Sequence, residues 1–274
     1  MLELPLLALL GFAVGAFGTL VGAGGGFILV PILLFIYPDL PPDTITAMSL
    51  TVVLGNATSG SIAYARQRRV DYWSAFLFAI ATLPGAVLGA YVVKFIPRET
   101  FNIIFASVLG VIGAYLVIRR NLVAERTPVS GWGVVQREIT DHAGQRFVYQ
   151  YRLPWGMAIS TFVGFVSSLL GIGGGIVHVP VMAVVLHFPV HIATATSHFV
   201  LALMAFEAVA THFVSGTLAW DETLARAVAM MVGAIAGAQL GARASHRVGG
   251  PTIIRALGVA LLVVAIRLAL TARS

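Results

Sequence analysis

Apolar runs long enough to cross a lipid bilayer recur along this chain, and they leave few folds open to it. Six lie near residues 44–64, 74–94, 101–119, 194–215, 223–243 and 252–271. Each matches the roughly 18–20 residues an α-helix needs to traverse about 30 Å of hydrocarbon. Of the 274 residues, 58% are hydrophobic and 10% are Asp, Glu, Lys or Arg, whereas a soluble domain carries about 25% charged residues. Too few polar side chains remain to wet a soluble surface. The fold class is therefore an all-α polytopic membrane protein, with the lipid bilayer as its first partner.

The net charge of +6 does not point to nucleic acid, because Arg66, Arg68, Arg69 and the group from Arg119 to Arg152 sit between apolar runs rather than along one polar face. Loops are where Lys and Arg set membrane orientation. The chain has no cysteine, which excludes disulfides, Cys metal sites and thiol catalysis. Met1-Leu-Glu-Leu-Pro5 lacks the basic start of a cleavable signal peptide and runs straight into an apolar segment.

Two further apolar regions, 4–37 and 155–188, are each 34 residues long. That is too long for one span and short for two with a turn. Glycine clusters interrupt both, at Gly22-Ala-Gly-Gly-Gly26 and Gly171-Ile-Gly-Gly-Gly175. Each region reads as a hairpin of two short helices that turns at the glycines and leaves on the side it entered, or as two tight full crossings. Residues 65–73 hold three Arg and 119–153 hold six, while 37–43 and 216–222 carry only Asp39, Asp43, Asp221 and Glu222. The positive-inside rule then places 65–73, 119–153, 187–193 and 244–250 in the cytoplasm. The loops at 37–43, 95–100 and 216–222 and both termini fall outside; Lys94 and Arg98 run against the trend. The polar stretch 120–153 contains a turn signal at Asp141-His-Ala-Gly144 and reads as a small cytoplasmic β-hairpin or a disordered linker.

The two halves match each other. Gly22 to Pro31 aligns with Gly171 to Pro180 at a shift of 149, with six of ten positions identical, and Gly15 and Leu20 match Gly164 and Leu169. At a shift of 148, Ala47-Met-Ser49 matches Ala195-Thr-Ser197, Gly85 and Gly89 match Gly233 and Gly237, and Gly110 matches Gly258. Matches kept in order through both halves mark an internal repeat. The chain divides into a first transmembrane repeat (1–119), the insert (120–153) and a second repeat (154–274). Each repeat is a glycine-broken helical hairpin followed by three transmembrane helices. By charge placement the first runs from outside to inside and the second from inside to outside, so the repeats are inverted, a plan common among secondary transporters.

These paired Gly-x-Gly-Gly-Gly-x4-Pro elements, ending at Pro31 and Pro180, resemble the sulfite exporter TauE/SafE family. The Ala-x-Ser elements at Ser49 and Ser197 and the pairs Gly85/Gly89 and Gly233/Gly237 fit the same resemblance. It covers everything outside the 120–153 insert. It implies a multi-span transporter of the bacterial cytoplasmic membrane, taking sulfite, sulfonates or similar small organic anions and usually exporting them. The Thr-Ser pair of the third helix stands at Thr196-Ser197 but is Met48-Ser49 in the first half, so the two sides of a site are not equivalent.

Glycine clusters inside a membrane leave backbone N–H groups without helix partners, which is tolerated only against protein or a wet cavity. Helix starts at Gly24, Gly25 and Gly26 and at Gly173, Gly174 and Gly175 would bind an anion through free N–H groups and the positive end of the helix dipole; close helix packing is the competing role. Ser49, Asn56, Thr196 and Ser197 are natural further ligands for oxyanion oxygens, or else interhelical hydrogen bonders. Glu207 is the only acid well inside a span, and buried carboxylates are costly and usually functional. It is the candidate for proton coupling, with His198, His178 and His212 to relay or stabilise.

No His-Glu-x-x-His, Asp-rich cluster, Gly-x-Ser-x-Gly elbow or ATP-binding loop occurs. The chain is accordingly no enzyme, and no catalytic residue, metal or cofactor is assigned. An uncoupled anion or small-solute channel shares the other features, but Glu207 favours coupled transport. A membrane scaffold would leave the paired glycine breaks without a reason. A homo-oligomer is compatible with the sequence.

Overall fold

A computed structural model describes residues 3–118, 131–245 and 247–271; residues 119–130, which include the start of the expected insert, lie outside the described residues. In chain order the helices are α1 (Glu3–Val21), α2 (Gly26–Ile36), α3 (Pro42–Arg66), α4 (Tyr72–Val92, continued by a 3-10 turn at Val93–Phe95) and α5 (Arg98–Ile118). A hairpin of β1 (Val134–Thr140) and β2 (Arg146–Arg152) precedes α6 (Leu153–Leu170), α7 (Gly175–Val184), α8 (Val190–Val214), α9 (Glu222–Ser245) and α10 (Gly250–Thr271). Among the described residues eight helices are long and apolar enough to cross a membrane; α2 and α7 are the short ones. The protein is an all-α polytopic membrane protein.

The glycine-broken regions are neither two short helices nor two full crossings. Each joins a helix of spanning length, with 19 residues in α1 and 18 in α6, to one of 11 in α2 or 10 in α7. At 1.5 Å per residue the short arms reach about 15 Å, half the hydrocarbon thickness. α2 stops before Tyr37-Pro38, where the proline disfavours helix in the preceding residue. α7 stops before His187, which takes a left-handed φ of 58°, and Pro189.

Both arms of each region return to the end they started from. Tyr37, after α2, donates to Glu3 Oε1 at 2.8 Å, and Glu3 pairs with Arg226 of α9. Arg98, opening α5, donates to the carbonyls of Leu34, Pro38 and Leu40, and Lys94 to Ser215 O. At the opposite end Gln67 reaches Ala242 O, and Phe188, after α7, packs on Tyr149 and Tyr151 just before α6.

Helices α3 and α8 form the centre and pack on each other; 83% and 72% of their most apolar windows are buried, against 28% for α5. α1 packs on α9 and α6 on α4, while α5 and α10 cover one flank together. Exchanging the halves reproduces this pairing. Small residues make it possible. A Cβ on Gly233, Gly237 or Gly241 would strike the α1 backbone at Ala8, Phe12 and Ala16, and one on Gly85 or Gly89 would strike α6 at Thr161 and Phe165. Without a hydrophobic force between helices in lipid, such close backbone approach supplies much of the association.

The hairpin is antiparallel, pairing Val134 with Arg152 and Thr140 with Arg146. On one face Phe147, Tyr149 and Tyr151 are buried, with Tyr149 and Tyr151 against Phe188 and Tyr151 also against Phe78. Replacing Gly237 by leucine should destabilise the protein by about 1–3 kcal/mol, the usual range for overpacking, read as a lower unfolding temperature in detergent. Leucine at Gly144, which meets nothing within 4 Å, should cost only the strain of its φ of 81°.

Candidate functional site

The two glycine breaks meet backbone to backbone. A Cβ on Gly26 would stand 2.7 Å from Gly171 O and Ile172 O, and one on Gly175 would collide with Gly22 O and lie 2.5 Å from Ala23 Cα. Gly25, just before α2, has a φ of 83°, a region that side chains rarely enter. Val53 of α3 and Leu201 of α8, equivalent positions in the two halves, close over both Gly24 and Gly173; the nearest approaches to a Cβ at these glycines are 2.5 Å and 2.9 Å. The N-terminal ends of α2 and α7 therefore abut near half depth, coming from opposite ends of the molecule.

The first amides of these helices are freed from the helical ladder by geometry. In α2 the ladder opens with Ile28 and Leu29 N–H to Gly25 O, and in α7 with Val177 and His178 N–H to Gly174 O. The amides of Gly25, Gly26 and Phe27, and of Gly174, Gly175 and Ile176, precede it. No Lys or Arg lies in these segments, so the electropositive character of the place comes from helix ends alone.

Around this junction the expected polar residues divide. Ser49 donates to Gly171 O at 2.6 Å and so ties α3 to the second break. Asn56 donates to Gly15 O at 2.9 Å and accepts from Thr19 at 3.1 Å. Thr196 Oγ1 accepts from Asp71 N–H at 3.1 Å. These three are engaged within the protein. Ser197 is fully buried and its hydroxyl has no partner among the described residues. Sequence reasoning passed over Thr19, Ser167 and Ser168, which are also fully buried on α1 and α6. Single hydroxyls in apolar helices carry no motif; only their match at the repeat shift could have drawn attention to Thr19 and Ser168.

The four proton-coupling candidates are not gathered into one cluster. His178 shares a 2.9 Å hydrogen bond with Ser160, and His198 lies 3.3 Å from Thr19 Oγ1 with its ring edge-on to Tyr64. His212 is fully buried with neither ring nitrogen partnered among the described residues. Glu207 faces a lateral groove of about 620 Å³ between α4 and α8, lined by Leu83, Pro84, Val87, Leu88, Tyr91 and Thr211. Its Oε2 is buried without a partner among the described residues.

At the Arg-rich end a second polar centre forms around Asp71, which is fully buried. It caps α4, accepting from Ser74 N–H at 3.3 Å. The carboxylate also accepts from Ser74 Oγ at 2.6 Å, Tyr149 OH at 2.7 Å and two Arg137 nitrogens at 2.8 and 3.1 Å. Because Ser74 spends its proton on Asp71, Tyr151 OH is the donor in its 2.6 Å bond to Ser74. Arg137 in turn lies over the Trp73 ring at 5.2 Å. Burial alone would raise the Asp71 carboxyl; the hydrogen bonds from Arg137, Ser74 and Tyr149 outweigh it and hold it below the usual carboxylate range. Burial pushes Tyr151 up to about 12, so it stays a donor. The hairpin turn is fixed likewise: Asp141 pairs with Arg69 at 3.0 Å, both side chains almost completely buried.

Comparison with known proteins fits this architecture. The family model described as sulfite exporter TauE/SafE matches residues 7–268. The probable membrane transporter protein YunE of Bacillus subtilis is 32% identical over 271 residues, 96% of each chain. A probable membrane transporter protein of Methanocaldococcus jannaschii is 28% identical, covering 79% of this chain and 75% of its own. Another, from Xylella fastidiosa, is 27% identical, covering 94% and 90%. No solved structure matches the chain.

The depressed Asp71 carboxyl sets a pH dependence. Its contribution is fully present above the ordinary carboxylate value near 4 and is lost as pH falls through the lower folded value. Hydrogen exchange of residues 134–152 should therefore quicken below about pH 4. The variant Asp71→Asn should show the faster exchange at neutral pH, with a loss of about 2 kcal/mol. That is less than for a fully enclosed pair, because the Arg137 side chain is 28% exposed.

Proposed function

The chain belongs to the sulfite exporter TauE/SafE family of membrane transporters, and from that premise we propose that it is a secondary transporter exporting a small oxyanion across the bacterial cytoplasmic membrane. The substrate class is sulfite, a sulfonate or a related organosulfur or organic anion, and the coupling ion is the proton rather than sodium. The observation that carries this reading is the meeting of two helix starts at half depth, with Gly26 against Gly171–Ile172 and Gly175 against Gly22–Ala23. Freed amides and two convergent dipoles favour negative charge there without a fixed cation. An anion held by neutral donors leaves more readily than one paired with arginine, as transport requires.

The inverted relation of the halves is part of the proposal. Its support is the exchange of contacts, α1 with α9 against α6 with α4, and the opening of the two hairpins at opposite ends. The Arg-rich end, with Arg66, Arg68, Arg69 and the hairpin, is assigned to the cytoplasm by the positive-inside rule; both termini then lie outside. Glu207 is assigned the coupling proton, because an unpartnered carboxylate in an apolar groove is costly when charged and binding a proton removes that charge. Coupling to the junction would then run along α8, which carries Glu207, His198 and Ser197.

Purified protein in proteoliposomes should accumulate sulfite against its gradient when a pH gradient is imposed, and a channel would only dissipate the gradient. Gly175→Val, whose side chain has no room against Gly22 O, should cut transport at least tenfold. Glu207→Gln should keep sulfite binding but lose the response to the pH gradient. Normal pH-driven accumulation by Glu207→Gln would remove the coupling assignment.

A further inference from the structure

We infer that the oxyanion is held on one side of the junction, at the N-terminal end of α7, with the hydroxyl of Ser167 as a direct ligand; this deepens the anion-transport reading and rests on it. Ser167 is fully buried, and its Oγ has no partner among the described residues. It is aimed at the start of α7: a Cβ on Gly174, the residue that opens the helix, would stand 3.4 Å from Ser167 Oγ. An unpaired buried hydroxyl costs about 1–3 kcal/mol. An oxyanion oxygen placed there removes that cost and accepts from the first amides of α7 at the same time.

The first half offers no such place. At the repeat shift of 149, Ser167 corresponds to Gly18 and Ser168 to Thr19. Gly18 is pressed against the backbone of Gly25, which fills the position the hydroxyl would occupy. The Thr19 hydroxyl is engaged with Asn56 and His198, whereas that of Ser168 has no partner among the described residues. Asn56 itself corresponds to Met204, and Ser49, bonded to Gly171 O, to the unpartnered Ser197. Beside the first break Thr19, Asn56 and His198 bond one another; beside the second, the hydroxyls of Ser167 and Ser168 are left without partners among the described residues.

Met204 explains how the place could open. Its Cε lies 3.6 Å from the same point on Gly174, so a flexible thioether occupies the volume beside Ser167. Turning one unbranched side chain makes room, whereas opening the first break would mean breaking the bonds of Asn56, Thr19 and His198. Val163 Cγ1, at 3.2 Å, bounds the space and limits it to a small anion.

The test is sulfite affinity of purified protein, measured by calorimetry on wild type, Ser167→Ala and Ser61→Ala. Ser61 is a second buried hydroxyl without a partner among the described residues, on α3 away from the junction. Ser167→Ala should weaken sulfite binding roughly tenfold or more, the loss of one charge-assisted hydrogen bond, without lowering the ligand-free unfolding temperature. Ser61→Ala should leave affinity unchanged. Ser167→Cys, similar in size and a weaker donor, should fall between wild type and alanine, and gives the answer if the alanine variant does not fold. Affinity within twofold of wild type in the Ser167 variants, with wild type binding sulfite, overturns the one-sided site and leaves anion transport standing. Wild type binding none of sulfite, sulfate, thiosulfate or sulfoacetate overturns the anion reading itself.

Discussion

A backbone amide in hydrocarbon must find its partner inside the protein, and this fold starts two helices where lipid would offer none. Much of the structure serves that exception. Helices α3 and α8, the most enclosed of the spans, stand on either side of the junction and contribute Val53 and Leu201 as its covers. Around them α1, α6, α4 and α9 keep lipid away, and their outer faces carry the exposed Leu, Val, Ile and Phe side chains that meet it. The glycines are needed because two segments of the chain cross in contact, leaving no room for side chains at Gly26 and Gly175.

The same economy of side chains holds the shell together. Where α1 meets α9 and α4 meets α6, backbone touches backbone over several turns. Such interfaces gain their energy from close packing rather than from expelling water. They also tolerate small axial displacements poorly, since each glycine admits one neighbouring carbonyl. Motion is therefore easier between these paired units, each of which joins a helix of one half to a helix of the other, than within them.

Much of this architecture is legible in the amino-acid sequence. Run lengths gave the spans to within a few residues, and the glycine clusters marked the breaks. The unequal arms were not legible: α2 is no less apolar than α1, and it is cut short at Tyr37-Pro38 rather than by polarity. Contact between the two breaks joins residues about 150 positions apart, and no local pattern encodes it. The place of Glu207 along its apolar run could be read from the residues but not its azimuth, because an apolar helix with little amphipathic bias does not reveal which face meets its neighbour. Asp71 drew no notice, because an Asp just before an apolar run is what an ordinary helix cap looks like. Its role as a hub depends on Arg137 and Tyr149 folding back from a segment that read as a β-hairpin or a linker, with nothing in it to mark Asp71 as its partner.

That hub has a consequence for how the molecule can rock. One carboxylate at the start of α4 belongs to the first half, its backbone N–H holds Thr196 of the second, and its charge is neutralised by the hairpin between them. The segment between the halves is thus a clasp rather than a tether. A tether would let each half swing freely within its slack. A clasp obliges the hairpin to travel with α4, and any shear between the halves at this end bears on the bond to Thr196, the residue next to Ser197.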